Sequence, residues 1–291
     1  MTVVRIVSLL PSATEIVAEL GLADSLVGRS HECDTPASVR TLPVVSMSRL
    51  DPAGLTGAQV DAAVGEALAG GESLYAVDEE VLTALRPDLV ITQDLCRVCA
   101  VSSGEVCDTG APVVSLDPHT LEEIAGGVER LADVLGVPER GRRVAARMRD
   151  RIEHVRSRTR GRTPRRVFVA EWHDPPFAAG HWIPEMVEAA GGADVLGDTG
   201  RPSGRVTWDD VLDAGPEIVV VAPCGYDERG ARAAWEQVAA AVPRALASIA
   251  VPVDANAYFS RPAPAVARGV EILEQILAQR PAAAGAALRS G

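Results

Sequence analysis

The chain has 291 residues, 47% hydrophobic and 23% charged, enough for two domains with cores of their own. A formal net charge of −12 argues against nucleic acid or an anionic membrane surface as a partner. All 28 basic residues are Arg, so Schiff-base and P-loop lysine chemistry is excluded.

Val3–Leu10 is a short apolar run that reads as a buried first strand. It lacks the basic flank and cleavage site of a leader peptide, so a cytoplasmic protein is expected unless the chain comes from an exported parent. No stretch reaches the ~20 apolar residues that span a bilayer. Pro11 turns the chain into a helix through Leu20, with Ser12 and Glu15 spaced as a capping box and Gly21 as the stop. A second strand is expected at Ser25–Arg29. Helices follow over Leu55–Leu68 and Val77–Leu85, then the buried strand Asp88–Thr92, the strand Pro112–Leu116 and a helix over Leu121–Leu135.

Pro138–Thr159 reads as one long helix. Pro138 fits its first turn, and Val144, Met148, Ile152 and Val155 make one apolar stripe on an otherwise charged rod. Its arginines read as a solvated face, with docking of an acidic partner as the minority reading. Beyond it the scheme repeats. Strands are expected at Arg166–Ala170, Glu217–Ala222 and Val251–Asp254, and helices at Ile183–Ala190, Trp208–Leu212, Arg229–Ala241 and from Pro264 to Gln279. The expected organisation is therefore α/β: residues 1–137 as one Rossmann-like lobe, 138–160 as a bridging helix, 161–281 as a second lobe and 282–291 as a frayed tail. The sheets should be mostly parallel.

In such sheets ligands bind outside the carboxyl ends of the strands. The residues just after the expected strands are rich in rare types: His31, Glu32, Cys33, Gln93, Asp94, Cys96, Cys99, Glu171, Trp172, His173, Cys224, Tyr226, Tyr258 and Arg261. If the lobes face each other, these loops line one cleft. Cys96-x-x-Cys99 has the spacing of half a zinc site or of a redox pair, and Cys33 and Cys224 would complete a four-ligand set if the fold brought them together. The bland alternative is a set of small buried thiols. His173 and His181 stand beside Trp172 and Trp182, a wall suited to a large flat ligand, whereas Trp208 and Trp235 read as packing residues and His119 and His154 as surface residues. Glu15, Glu171 and Asp94 are candidate acids, Glu15 chiefly as a cap. No GxSxG, HExxH or Walker sequence is present.

The segments RIVSLLPSATEIVAELGL, PDLVITQ, GHWIPEMVEAAGGADVLG and NAYFSRPAPAVARGVEIL, spread over residues 4 to 279, resemble the helical-backbone substrate-binding proteins of ABC importers, the cobalamin and siderophore group. HECD, QDLCRVCAV, EWHDP and PCGY look like the cobalamin-binding branch. The resemblance implies two Rossmann-like lobes joined by one long helix, the class III substrate-binding fold. It also implies a non-enzymatic role, with a metal chelate such as cobalamin or a related corrinoid clamped between lobes. Ligand contacts are then expected from His31, Glu32, Gln93, Asp94, Glu171, Trp172, His173, His181, Trp182, Tyr226, Tyr258 and Arg261. Partners would be the small-molecule ligand and an ABC permease or cytoplasmic acceptor protein. The competing expectation is a cytoplasmic metalloprotein, an enzyme among its forms, holding zinc or an iron–sulfur cluster on Cys33, Cys96, Cys99 and Cys224. A third is a sensor or chaperone that passes on a metal cofactor.

Overall fold

The computed structural model of the chain describes residues 4–94, 101–106 and 110–279. By contact the chain divides into two compact units, Met1–Arg149 with Arg261–Pro264, and Asp150–Ser260 with Ala265–Gly291.

The first unit carries strands β1 (Ile6–Ser8), β2 (Leu26–Arg29), β3 (Ser46–Ser48), β4 (Tyr75–Val77), β5 (Leu89–Thr92) and β6 (Val113–Ser115). Its helices are α1 (Pro11–Glu19), α2 (Gly57–Ala69), α3 (Glu79–Leu85) and α4 (Leu121–Val134), and α5 (Pro138–Thr159) begins in it. Four strands form a parallel sheet in the order β2-β1-β5-β6. Side chains alternate across a strand, so Ile6, Leu89 and Ile91 enter one buried cluster with α1 and α4, while Val7 and Val90 enter another with Val45 and Leu82 on the opposite face. Burial on both faces explains why these strands read as unbroken apolar runs.

Three local expectations are corrected. Helix α1 has Pro11 in its first turn after an extended Leu10, and no side chain caps it. Ser12 and Glu15 lie inside the helix, so the capping box does not form. Residues 75–77 are a strand paired antiparallel with β3, and Asp78 caps the helix after it, its Oδ1 accepting from Val81 N at 2.9 Å; the helix therefore starts later than the expected Val77. Helix α2 starts after Thr56, whose hydroxyl accepts from Gln59 N while the Gln59 side chain accepts from Thr56 N.

The apolar stripe of α5 is interior: Val144, Met148, Ile152 and Val155 are all buried. Its arginines are not merely solvated. In the first unit, Arg149 bonds Glu122 and Glu129 on α4. In the second, Arg151 Nε meets Glu271 at 2.8 Å and Arg158 Nε meets Glu274 at 3.0 Å, both acids lying on α11 (Val266–Ala278). The contact division falls within this helix, after Arg149.

The second unit carries β7 (Arg165–His173), β8 (Pro176–Ala178), β9 (Gly192–Asp194), β10 (Gly204–Arg205), β11 (Ile218–Val221) and β12 (Ala250–Pro252). Its other helices are α6 (Ile183–Ala189), α7 (Trp208–Ala214), α8 (Glu228–Val238), α9 (Arg244–Ala247) and α10 (Ala255–Tyr258). β7, β11 and β12 run parallel, and β9 pairs parallel with the start of β7. β8 and β10 add antiparallel strands beside the end of β7, a mixed edge that the alternating strand–helix pattern does not announce. Phe168, Ala170, Val219 and Val221 form the buried face under α7 and α8, with the Trp208 and Trp235 rings 5.5 Å apart in a T-shaped contact. Those two indoles are packing residues, as their helical positions suggest.

Candidate functional site

In the first unit the loops after β1, β2, β5 and β6 meet at one end of the parallel sheet. Several of their polar groups pair with one another, while Arg29 Nε, His31 Nε2 and Thr92 Oγ1 are buried without a hydrogen-bond partner among the described residues. Cys33 is buried, and its Sγ lies 3.0 Å from the Thr14 hydroxyl that donates to it and 3.1 Å from Ser30 Oγ. Burial pushes this thiol up, against the hydrogen bonds from Ser30 and Thr14. Cys33, expected as a metal ligand, is here a buried, hydrogen-bonded thiol, with no arrangement of three or more His, Cys, Asp or Glu that could hold a metal ion among the described residues.

Arg261 is also interior, at 7% exposure. Its Nη1 meets Glu15 Oε1 at 2.9 Å and Asp34 Oδ1 at 2.7 Å, and its Nη2 donates to Glu32 O at 3.3 Å. Burial pushes the Glu15 carboxyl up in spite of Arg261. Burial opposes ionisation at Asp34 as well, but there the Arg261 hydrogen bond and charge prevail and hold it below the ordinary range. Glu15 is thus no cap, and Arg261, expected as a ligand contact, is the centre of an ion triad. Asp94 is likewise a loop fastener: its Oδ1 accepts from Ser103 N at 2.7 Å, its Oδ2 from Ser103 Oγ at 2.8 Å, and its own N–H donates to Asp117 Oδ1. Gln93 is buried. His31 and Glu32 remain at the rim. His31 Nδ1 lies 3.2 Å from Ser46 Oγ, its ring 5.7 Å from that of Tyr75, and its Nε2 3.6 Å from Glu32 Oε1. With Leu9, Pro11 and Val101 they line a hollow of about 10 Å³, the size of one water.

The second unit differs in kind. Trp172 and His173 close β7, and Tyr226 follows β11, the parallel strand beside it, so the three rings gather at one sheet edge. The Trp172 centroid lies 5.1 Å from that of His173 and 5.9 Å from that of Tyr226, and His173 lies 6.3 Å from Tyr226 at an interplanar angle of 84°. Trp172 is oriented by its Nε1–H, which donates to Asp174 O at 3.0 Å. His173 is buried, and among the described residues its Nδ1 has no hydrogen-bond partner. Burial pushes its pKa down, so the ring is neutral at pH 7. Glu171 accepts a short hydrogen bond from Ser203 Oγ, and its carbonyl accepts from Cys224 N at 3.1 Å. Cys224 is exposed.

His181 has a positive φ of 50° and sits against the loop at 200–203, its N–H donating to Arg201 O at 2.6 Å. The preceding Gly180 allows this approach, since a Cβ there would meet Arg201 O at 2.4 Å. Trp182 is corrected from a wall residue to a core residue. It is 5% exposed and its Nε1–H donates to Phe259 O at 2.8 Å. Tyr258 lies on α10, its carbonyl pressed on α11 at Gly269.

Cys96 and Cys99 lie outside the described residues. Cys33 and Cys224 belong to different units, and among the described residues no group of three or more His, Cys, Asp or Glu is arranged to hold a metal ion. The zinc or iron–sulfur expectation therefore has no support among them. The ion triad escaped sequence reasoning because Glu15 and Arg261 are 246 positions apart.

Two α/β units whose strand-end loops carry side chains of this kind define a class of ligand-binding proteins. A family model described as periplasmic binding protein matches residues 6–245, and the chain belongs to that family, one of binding proteins and not of enzymes. It is 25% identical over 288 residues to a vitamin B12-binding protein of Yersinia pestis (strain Pestoides F), covering 95% of this chain and 87% of the relative. In fold it is similar to the periplasmic vitamin B12 binding protein BtuF of Vibrio cholerae, with TM-score 0.66 and 23% identity over 94% of this chain and 96% of that one. It is also similar to the periplasmic heme-binding protein RhuT from Roseiflexus sp. RS-1 in apo form, with TM-score 0.69 and 21% identity over 94% and 97%. Both solved relatives are described as periplasmic, which gives the expected cytoplasmic location no support. Among the described residues no helix is long and apolar enough to cross a membrane.

Proposed function

We propose that this chain binds a flat metal chelate, a corrinoid of the cobalamin type, without turning it over, and hands it to an ABC permease. The observation that carries the reading is the Trp172–His173–Tyr226 cluster. Three rings at one sheet edge supply apolar contact area to a macrocycle, and a neutral imidazole is the form that can donate to a metal. The relative described as a vitamin B12-binding protein supports the corrinoid over other chelates. His31 and Glu32 at the rim of the first unit are the next contacts to test. An extracytoplasmic location goes with this reading in place of the cytoplasmic one.

A heme is the second reading, since a heme-binding protein is among the solved structures of similar fold and His173 is the imidazole nearest the ring cluster. Titration with cyanocobalamin and with hemin, followed by exhaustive dialysis, tests both. Retained corrinoid colour with quenched tryptophan fluorescence, lost in Trp172→Ala, is the expected result. Retained hemin with a Soret band that shifts in His173→Ala would turn the reading to heme. No retained colour and no change in melting temperature with either ligand would reject both.

A further inference from the structure

The arginines on the first half of α5 fall into two groups. Arg142 pairs with Glu139, and Arg149 pairs with Glu122 and Glu129. Gly141 packs this part of the helix on α4, where an added Cβ would meet Ala132 Cβ at 2.3 Å. Arg140, Arg143 and Arg147, spaced three and four apart on one face, instead line a hollow of about 390 Å³ against the end of α1, together with Glu19. Arg140 Nη1 donates to Leu20 O at 3.0 Å and Gly21 O at 3.4 Å, answering carbonyls that the helix end leaves open. Arg147 meets Glu19 at 3.0 Å, but both side chains are about half exposed or more, so the pair is weak. Arg143 makes no hydrogen bond or ion pair among the described residues.

Three guanidiniums facing one carboxylate run against a chain with 40 acidic and 28 basic residues. Guanidinium forks match the oxygens of phosphate-type groups. We propose that this hollow binds a multiply charged phosphate-type anion through Arg143 and Arg147, with Arg140 securing its floor. The site is separate from the chelate site and independent of that reading.

The test is calorimetric titration of the full chain with inorganic pyrophosphate at fixed ionic strength. Saturable one-to-one binding is expected. Arg143→Gln should weaken it about tenfold, while Arg143→Lys, which keeps the charge but loses the fork, should weaken it less. Arg143 is exposed, so an unchanged melting temperature should show that both variants fold. Trp172→Ala should bind pyrophosphate as the wild type does. Absence of saturable binding, equal binding by Arg143→Gln, or tighter binding of oligoglutamate than of pyrophosphate would overturn the proposal, the last in favour of an acidic protein partner.

Discussion

The strand-end loops of the two units share a position in the fold and differ in what their side chains do. In the first, Arg261, Glu15 and Asp34 answer one another, as do Cys33, Thr14 and Ser30, and Asp94 and Ser103. In the second, Trp172, His173 and Tyr226 meet ring to ring; among the described residues His173 Nδ1 has no hydrogen-bond partner, and neither do His31 Nε2 and Thr92 Oγ1 in the first. Buried polar groups that satisfy each other hold a loop in place. An unanswered one has an energetic reason to take a ligand. The polar clusters hold the loops of the first unit, and the ring cluster of the second is where the proposed chelate contact falls.

The largest effect is expected at Arg261. Arg261→Ala leaves the buried Glu15 and the part-exposed Asp34 without their cation, and should cost about 3 kcal/mol in urea unfolding, the low end for a buried pair because solvent screens Asp34. Adding Glu15→Gln should restore part of it; a loss under about 1 kcal/mol would mean that the triad is not structural. Trp172→Ala should instead leave unfolding nearly unchanged and weaken chelate affinity by about 2 kcal/mol, roughly thirtyfold. Equal loss of stability at both positions would erase the distinction between the units.

Asp194 sharpens the comparison through pH. Its Oδ1 accepts from Gly197 N at 2.8 Å, its Oδ2 is buried without a partner among the described residues, and burial pushes its pKa up to about 6. A folded pKa above the unfolded one means that the folded state binds the proton more tightly. The Asp194 contribution to stability therefore rises as pH falls through about 6 toward about 4, and is a penalty above that window. Asp194→Asn should stabilise the protein by about 1–2 kcal/mol at pH 8 and flatten its stability profile between pH 8 and pH 5. An unchanged profile would show that the carboxyl is better solvated than its surroundings indicate. The smallest effect belongs to the surface: Arg147→Ala should move stability by no more than about 0.5 kcal/mol.

Much of this was legible in the amino-acid order, for identifiable reasons. Helix α5 announced itself because a Pro start and a four-residue stripe are local signals. The aromatic cluster was legible because Trp172, His173 and Tyr226 follow or close strands, and neighbouring parallel strands present the same edge. Trp182 misled because nothing nearby in the sequence shows that its indole N–H finds Phe259 O. Ser12 and Glu15 had the spacing of a cap, but Pro11 already occupied the first turn and the partner of Glu15 lies at the far end of the chain. Strands β8 and β10 are three and two residues long, and β8 begins with Pro176, so neither carries a periodic signal.

The ion pairs that fasten α5 to α4 and to α11 are all guanidinium–carboxylate pairs, in a chain without a single primary-amine side chain. Between about pH 9 and about pH 11, where ammonium groups lose their protons, these fastenings keep their charge. Alkaline unfolding in that interval must then begin with phenol and thiol ionisation, and base titration follows the three tyrosines and five cysteines, Tyr226 and Cys33 among them, with no lysine signal beneath.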